Sequence, residues 1–261
     1  MKHVSFIASA LIVLSFNCKN NPEKVVETAS TSSNELHETI NNEEIKIIPI
    51  NHATMVLSHI DQVVYVDPVG GIEAFSGQEQ PDYILITDIH GDHLDPTTLE
   101  NMALESTTLI VPQAVKEKLP EIKAKEIIVM NNGDTQDLGP FSIEAIPMYN
   151  LREEALKFHE KGRGNGYVLN WNNQRIYISG DTEDIPEMRN LKDIDIAFVC
   201  MNLPYTMTVE SAASAVLDFK PKKVYPYHYR GKDGMSDVDK FKSIVNKANP
   251  NIETVQLIWY K

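Results

Sequence analysis

The sequence predicts an α/β protein in which two β-sheets pack together and helices cover their outer faces. Short runs rich in β-branched residues come first along the chain and then alternate with helical segments, which is typical of layered α/β proteins. Hydrophobic residues make up 42% of the 261 residues and charged residues 23%. The chain can therefore bury a large core, and it is neither wholly disordered nor collagen-like.

Strands dominate the first half of the folded part. They are expected over 45–50, 54–58, 63–67, 83–87, 109–111, 127–130 and 141–147, where β-forming residues are bounded by turn residues. The apolar character of the run 83–87 indicates burial on both faces. Asp95 followed by Pro96 predicts a capped helix over 96–104, and a short helix is expected over 112–119.

Helices and strands alternate in the second half. A hairpin is predicted from strands over 165–170 and 175–179 around the turn 171–174. An amphipathic helix over 208–219 is followed by Pro221, and Ser236 is expected to cap a helix that runs to residue 248. Further strands are expected over 194–200, 223–226 and 254–260.

The N-terminal segment is predicted to be separate from the fold. Lys2 precedes an apolar run over 4–16, which is too short to span a bilayer and suits a signal peptide over 1–17. Cys18 follows directly, an arrangement that resembles a bacterial lipoprotein signal and implies a lipid anchor at this cysteine. An ordinary cleaved signal and an uncleaved apolar end are the alternatives.

Residues 18–44 are predicted to be a disordered tether, because acidic and polar residues dominate there and little apolar surface is available for burial. The folded domain then spans 45–261. Together with a lipidated Cys18, this organisation predicts a protein held at the bacterial cell envelope, in the periplasm or at the outer membrane. The sequence leaves the membrane leaflet and the oligomeric state open.

Charge and cysteine content exclude several classes of function. The formal net charge is −13, and so acidic a surface repels phosphate backbones, which argues against a nucleic-acid partner. Two cysteines cannot form a disulfide scaffold or a four-cysteine zinc site. A metal in this protein must therefore be bound by histidines and carboxylates.

Three predicted strands lead directly into such residues. The strand over 83–87 runs into Asp88-Ile89-His90-Gly91-Asp92-His93, the strand over 175–179 into Gly180-Asp181-Thr182, and the strand over 223–226 into Tyr227-His228. Imidazole and carboxylate groups are the ligands of catalytic transition metals. Because α/β proteins place their sites at the carboxyl ends of strands, the three segments are expected to converge on a metal centre.

The order Asp-x-His-x-Asp-His, then Gly-Asp-Thr, then a late histidine resembles the metallo-β-lactamase fold superfamily of metal-dependent hydrolases, and in particular its ascorbate-6-phosphate lactonase-like branch. Supporting stretches are 51–54, 64–68, 162–167 and 203–207, and the similarity covers about residues 45–261. The resemblance implies a four-layer αββα sandwich and hydrolysis of a small molecule by a metal-bound hydroxide. It also implies one or two divalent metal ions, expected to be zinc, with manganese or iron as the alternatives.

The resemblance also assigns individual ligands. His90 matches a ligand of the family's first metal, and Asp92 and His93 match ligands of the second. Asp181 matches the carboxylate that bridges the two metals, and His228 matches the final histidine.

Two ligand positions are less direct. The histidine that precedes the bridging carboxylate is assigned to His159, with Asn150 as the competitor, because an amide is a poor ligand for transition metals. Asp88 stands where the family has its first histidine. It is expected either to bind the first metal, where hard oxygen tilts preference from zinc toward manganese or iron, or to orient the neighbouring histidines.

The implied reaction needs a base and a substrate pocket. Asp92 is the candidate to orient the attacking water and take its proton. His52 on the early hairpin is a candidate to contact substrate or orient a ligand, with a purely structural hydrogen-bonding role as the alternative. Four tyrosines are candidates for the pocket wall or for the core: Tyr149, Tyr205, Tyr227 and Tyr229. The substrate is expected to be a small ester, lactone or phosphodiester. A phospholipid or nucleotide phosphodiesterase, and a metal-binding protein that has lost catalysis, are the alternatives.

Overall fold

The structure is a computed structural model that describes residues 44–260, and two sheets form the centre of that part. The six strands of the first sheet are β1 (Lys46–Asn51), β2 (Thr54–His59), β3 (Gln62–Val66), β4 (Tyr83–Leu85), β5 (Thr108–Val111) and β6 (Glu126–Val129). They lie in sequence order. The first three are antiparallel to one another, and β3 to β6 run parallel.

The remaining strands are β7 (Thr135–Asp137), β8 (Phe141–Met148), β9 (Gly164–Trp171), β10 (Gln174–Ile178), β11 (Ile196–Val199), β12 (Lys223–Pro226), β13 (Arg230–Gly231), β14 (Gly234–Met235) and β15 (Glu253–Thr254). The second sheet has the order β15-β12-β11-β10-β9-β8-β7, and β13 pairs with β14 in a separate hairpin. β7 to β10 are antiparallel, whereas β10, β11, β12 and β15 run parallel.

Side-chain alternation along β3 shows how the layers are built. Val64 and Val66 point into a large core that also contains the buried side chains of the second sheet. Val63 and Tyr65 belong to a second core on the other face of the first sheet. The two sheets therefore pack face to face, and each has a second apolar face to cover.

Helices cover those outer faces. They are α1 (Pro96–Asn101), α2 (Gln113–Lys116), α3 (Pro186–Arg189), α4 (Val209–Phe219) and α5 (Val238–Ala248). Leu99 of α1 and Val115 of α2 belong to the core outside the first sheet, whereas Val216 of α4 and Phe241 of α5 pack with the second sheet. This arrangement confirms the four-layer αββα sandwich that the sequence predicts.

The structure corrects several predicted element boundaries. α5 is capped by Asp237, whose side chain accepts a hydrogen bond from the Lys240 amide at 2.8 Å, whereas the Ser236 hydroxyl donates to the Met201 carbonyl. α1 ends before residue 104, and β7 and the β13–β14 hairpin were not predicted. The prediction of a strand over 254–260 is wrong beyond the end of β15 at Thr254. Val255 still donates to the Val224 carbonyl at 2.9 Å, and the chain then runs to the β1–β2 turn, where Tyr260 contacts His52.

The predicted signal peptide and nearly all of the predicted tether lie outside the described residues. Their boundaries at 17 and 44 remain predictions. Within residues 44–260, no helix is long and apolar enough to cross a membrane.

Candidate metal centre

Loops that follow strands of both sheets bring the predicted ligands together at one edge of the sandwich. The segment 88–93 follows β4 in the first sheet, whereas Asp181 and His228 follow β10 and β12 in the second. His93 Nε2 lies 3.1 Å from His228 Nε2 and 3.4 Å from Asp181 Oδ2, so the two sheets contribute to the same site. Within the second sheet, the carboxyl ends of the parallel strands β10 and β12 share one edge, and the packing of the two sheets brings the segment after β4 to the same edge.

His93, Asp181 and His228 form one group of donor atoms, which we call the His93 cluster. All three side chains are buried, and Asp181 Oδ1 lies 3.2 Å from His228 Nε2. Asp92 borders the cluster, with Oδ2 3.4 Å from His228 Nε2 and Oδ1 3.9 Å from His93 Nε2. Its side chain is 42% exposed, so this carboxylate is the part of the group that faces solvent.

Asp181 reaches the cluster because glycine precedes it. Gly180 has a φ of 60°, in the left-handed region, and a Cβ there would lie 2.6 Å from Met148 Sδ. A residue with a side chain would therefore be strained in backbone conformation and would have to displace Met148. The Gly-Asp pair in the sequence thus reflects the turn that aims Asp181 at the histidines.

Asp67 holds His93 in a ligating orientation. Its Oδ2 lies 2.8 Å from His93 Nδ1, and its two oxygens accept hydrogen bonds from the Thr87 amide and hydroxyl at 2.7 Å each. With Nδ1–H donated to Asp67, His93 Nε2 is left free toward the cluster, as in carboxylate–histidine–metal arrangements. Sequence reasoning did not single out Asp67, although it follows β3 just as the ligands follow their strands.

Asp88, His90 and His159 form a second group, which we call the Asp88 cluster. Asp88 Oδ2 lies 2.6 Å from His90 Nδ1 and 3.8 Å from His159 Nε2. His159 Nε2 is also 3.2 Å from Asp181 Oδ2, so Asp181 lies between the two clusters. This is the position that a carboxylate shared by two metal ions would need.

Arg163 donates two hydrogen bonds to the Asp88 carboxylate. Its Nε donates to Oδ1 and its Nη2 donates to Oδ2, each at 3.2 Å. Asp88 is fully buried and the Arg163 side chain is 18% exposed. The pair is formally neutral, as is the histidine that stands at this position in the family. Sequence reasoning missed Arg163, which lies 75 residues from Asp88 along the chain.

The structure separates the roles of His159 and Asn150. His159 Nδ1 lies 3.2 Å from the Tyr205 carbonyl, which leaves Nε2 directed at Asp88 and Asp181. The Asn150 amide donates to the carbonyls of Ala155 and Tyr205 at 2.9 and 2.6 Å. Asn150 therefore ties two loops together, and the donor presented to the clusters belongs to His159.

His52 lies in the two-residue turn between β1 and β2 and contacts Asp92. Its Nε2 is 3.3 Å from Asp92 Oδ2, and its Nδ1 is 2.8 Å from the Tyr260 hydroxyl. Its ring centroid lies 3.8 Å from that of His228. His52 thus touches the site through Asp92 and His228, and its role as an orienting residue or a substrate contact stays a prediction.

A cavity of about 360 Å³ opens onto both clusters. Phe158 and Tyr205 form an aromatic wall, with ring centroids 5.1 Å apart. The lining residues are His90, Asp92, Phe158, His159, Asp181, Asn202 and Tyr205. Of the four tyrosines considered from sequence, Tyr205 alone belongs to this lining. Tyr227 is buried in the core, Tyr149 bonds Glu187, and Tyr229 packs on Tyr260.

The charges of the site are strongly coupled. Burial would raise the pKa of Asp181, but nearby His228 and His93 outweigh it and hold that pKa well below its usual range. Burial would lower the pKa of His93, yet Asp181 and Asp67 raise it well above its ordinary value. Burial raises the pKa of Asp67. The buried carboxylates therefore need positive charge close to them.

The donors fit a metal ion. Asp181 Oδ1 is buried and makes no hydrogen bond, although His228 Nε2 lies 3.2 Å away. Ligands about 2.1 Å from a tetrahedral ion lie about 3.4 Å from one another. In the His93 cluster the two Nε2 atoms are 3.1 Å apart, and they lie 3.4 and 3.2 Å from Oδ2 and Oδ1 of Asp181, respectively. The Asp88 cluster offers two imidazoles and a carboxylate, so it also suits a divalent cation, with more oxygen character.

Comparison with known proteins relates these residues to a family of hydrolases. The family described as "Beta-lactamase superfamily domain" matches residues 46–228. A UPF0173 metal-dependent hydrolase from Pyrococcus horikoshii is 28% identical over 212 residues, which are 77% of this chain and 92% of that protein. One from Archaeoglobus fulgidus is 26% identical over 224 residues, covering 82% of this chain and 96% of the relative.

Solved structures share the fold. The crystal structure of a protein from Parabacteroides distasonis, assigned as a metal-dependent hydrolase, is 39% identical and covers 81% of this chain and 92% of its own, with a TM-score of 0.72. Igni18, a metallo hydrolase from Ignicoccus hospitalis, is 21% identical and covers 82% of this chain and 94% of its own, with a TM-score of 0.68. At that lower identity the likeness concerns the fold alone.

Proposed function

The chain belongs to the metallo-β-lactamase-fold family of metal-dependent hydrolases, and from that premise we propose that its substrate is a small uncharged carboxylic ester or lactone. One observation carries the choice of substrate. Among the described residues that line the cavity, none is lysine or arginine, and two are aspartates. Apart from bound metal ions, a phosphodiester anion would find no cationic side chain in this lining to bind its non-bridging oxygens. A neutral ester or lactone needs no such side chain.

His93, Asp181 and His228 with Asp92 would hold one metal ion, and Asp88, His90 and His159 with Asp181 would hold a second. We propose zinc for the His93 cluster, and zinc, manganese or iron for the more oxygen-rich Asp88 cluster. A bound ion would lower the pKa of a water molecule and polarise the substrate carbonyl. The protein itself would hold these donors in place and accept the proton of the attacking water.

Asp92 is the group suited to take that proton. Burial would raise its pKa, but hydrogen bonds from His228 and His52 outweigh burial, and the pKa lies well below its usual value. The carboxylate is therefore ionised at neutral pH and can accept a hydrogen bond from a water molecule. Oδ2 faces the two histidines, so Oδ1 is the atom that would receive the proton.

Asn202 is suited to hold the substrate carbonyl. It lines the cavity, and its Oδ1 accepts a hydrogen bond from the Thr206 hydroxyl. That bond fixes the amide orientation and leaves Nδ2–H as a donor. A donor held in place before the reaction stabilises the negative charge that develops on a carbonyl oxygen during attack.

The loops that form the cavity wall also carry apolar surface. Three leucines on them are exposed, Leu151 by 47%, Leu156 by 46% and Leu203 by 40%. The two loops are joined, because Arg152 Nη2 donates to the carbonyls of Pro204 and Thr206 at 3.0 and 2.7 Å. Exposed apolar groups beside a binding cavity favour a substrate with an apolar substituent, such as an acyl chain.

The lactonase-like resemblance supports a cyclic ester as one member of this substrate class. It does not by itself supply a binding group for a phosphate on that lactone, and the cavity lining offers no cation for one. We therefore favour a neutral lactone over a phosphorylated one, such as ascorbate-6-phosphate lactone, as the substrate. The proposed envelope anchor at Cys18 is independent of this choice.

A substrate panel tests the proposal. The purified protein, with its metal content measured by elemental analysis, is assayed on p-nitrophenyl butyrate, a five-membered lactone and bis(p-nitrophenyl) phosphate. Ester or lactone turnover that disappears on chelation and returns with zinc is the expected result. Faster turnover of the phosphodiester would support a phosphodiesterase instead. Retained metal with no turnover on any probe would support a protein that binds metal without catalysis.

A further inference from the structure

Tyr260, next to the last residue of the chain, closes a hydrogen-bonded connection to the candidate base. Its hydroxyl lies 2.8 Å from His52 Nδ1, and His52 Nε2 lies 3.3 Å from Asp92 Oδ2. Tyr260 and His52 are 208 residues apart along the chain. The contact exists because the C-terminal segment leaves the second sheet after Val255, whose amide still donates to the Val224 carbonyl, and reaches the β1–β2 turn.

The hydrogen bonds of Tyr260 determine where its own proton points. Its oxygen accepts bonds from the backbone amides of Tyr229 and Arg230, each at 3.1 Å. An amide can only donate, so both lone pairs of the hydroxyl oxygen are occupied. The remaining partner within reach is His52 Nδ1, and the hydroxyl must therefore donate to it.

That donation selects one form of His52. A ring nitrogen that accepts a hydrogen bond carries no proton, so the neutral imidazole bears its proton on Nε2. Nε2–H then points at Asp92 Oδ2. Doubly protonated His52 would set Nδ1–H against the Tyr260 hydroxyl, whose oxygen has no lone pair left to receive it.

We propose that Tyr260 is a positioning residue that fixes the Nε2–H tautomer of His52, and that His52 in turn fixes the carboxylate of Asp92 toward the His93 cluster. This inference rests on the proposed role of Asp92 as a ligand and base. Asp92 is 42% exposed and needs such support, because an exposed carboxylate is otherwise free to rotate.

His52 has a strained backbone conformation, and contacts around it and around Tyr260 hold it in place. Its φ is 58°, in the left-handed region that residues with a side chain avoid. Its carbonyl accepts a bond from the His228 amide at 3.3 Å. The Arg230 guanidinium and the Tyr229 ring pack on the Tyr260 ring at 4.7 and 4.9 Å. Strained conformations of this kind persist where neighbours determine them, often at functional sites.

The tautomer can be measured directly on the wild-type chain. Long-range ¹H–¹⁵N NMR of the ¹⁵N-histidine-labelled full-length protein, loaded with diamagnetic zinc, distinguishes a bare ring nitrogen from a protonated one. We expect a bare Nδ1 and a protonated Nε2 for His52. A proton on Nδ1, or a doubly protonated ring at neutral pH, would overturn the proposal. This measurement is independent of whether the protein turns over any ester.

Zinc affinity tests the connection itself. Competition with a chelator is measured for Tyr260→Phe, His52→Ala and the double variant, and we expect each single change to weaken zinc binding by roughly 10–100-fold. Because Tyr260 acts through His52, the double variant should lose no more than His52→Ala alone. Additive losses, or wild-type affinity in Tyr260→Phe, would contradict the proposal.

Tyr229→Phe is the matched control. It removes a hydroxyl from the tyrosine that packs on Tyr260 but leaves the bonds to His52 intact. Wild-type zinc affinity is expected for it. A loss equal to that of Tyr260→Phe would show that local packing, not the hydrogen bond to His52, governs the site.

Discussion

Removal of Arg163 should destabilise the protein by about 3 kcal/mol. The Asp88 carboxylate is fully buried, and Arg163 supplies two of its hydrogen bonds as well as the opposite charge. When one partner of a buried ion pair is deleted, the cost is typically about 3–5 kcal/mol. We take the lower end because His90 Nδ1 remains 2.6 Å from Asp88 Oδ2 and because the Arg163 side chain is partly exposed.

Arg163→Met is the suitable change, since it keeps most of the apolar length of the side chain. For a domain of this size, 1 kcal/mol shifts Tm by about 2–4 °C, so Tm should fall by about 6–12 °C. Urea unfolding of the metal-free protein gives the free energy without a contribution from bound metal. The Arg163→Met, Asp88→Asn double variant removes both charges and should recover much of the lost stability.

The Asp88–Arg163 pair also determines how the Asp88 cluster binds metal. Asp88→His alone would place Arg163 against a neutral ring beside a cation, so we expect it to lose metal, and only Asp88→His with Arg163→Met should bind zinc in both clusters. If Asp88 merely orients His90 and His159, Asp88→Ala keeps its metal stoichiometry and loses roughly 10–100-fold in affinity or rate. An Arg163→Met protein within about 0.5 kcal/mol of wild type would refute the charge-pair reasoning.

Four further outcomes are expected. Asp181→Asn should lose metal from both clusters together with turnover, since Asp181 lies 3.2–3.4 Å from donors of each, and elemental analysis would show whether either ion remains. Leu156→Ser should slow octanoyl esters several-fold relative to acetyl esters, whereas Ile60→Ser, at the other end of β2, should leave that ratio unchanged. Cys18→Ala should release the protein from membranes or block its processing, and wild-type protein found entirely in the cytoplasm would contradict the anchor. Burial, reinforced by Asp181, raises the pKa of the Cys200 thiol to about 12, so iodoacetamide should label it at pH 8 only after unfolding, as mass spectrometry can show.

The sequence was sufficient to predict the site residues that belong to local patterns. Apolar strands that end in Asp88–His93, Gly180-Asp181 and His228 were recognisable because chemistry-bearing residues followed β-forming runs. Parallel pairing within the second sheet places the strand ends before Asp181 and His228 at one edge, whereas the approach of the segment 88–93 depends on how the first sheet packs on the second. The His159 assignment relied on the family resemblance, and on ligand chemistry to prefer it to Asn150, because its loop has no regular pattern.

Long-range partners could not be predicted in the same way. Arg163 and Tyr260 reach the site across 75 and 208 residues, and neither belongs to a local motif. The strand expected over 254–260 has an apolar pattern that suits a sheet, yet its end is used to bring Tyr260 to His52. Tertiary contacts therefore overrode local propensity where the chain serves the site.

Backbone conformations at the site also show where tertiary contacts outweigh local preference. Three residues of the candidate site adopt left-handed conformations, His52 with φ 58°, Asp67 with φ 44° and His228 with φ 45°. Each costs about 1–2 kcal/mol relative to an ordinary conformation. Glycine would relieve the strain but would remove the ring or carboxylate that the site uses. Asp67 and His228 follow the largely buried strands β3 and β12, whereas His52 follows β1, whose side chains are exposed or half-buried. Tertiary contacts around these residues hold conformations that local preference would not.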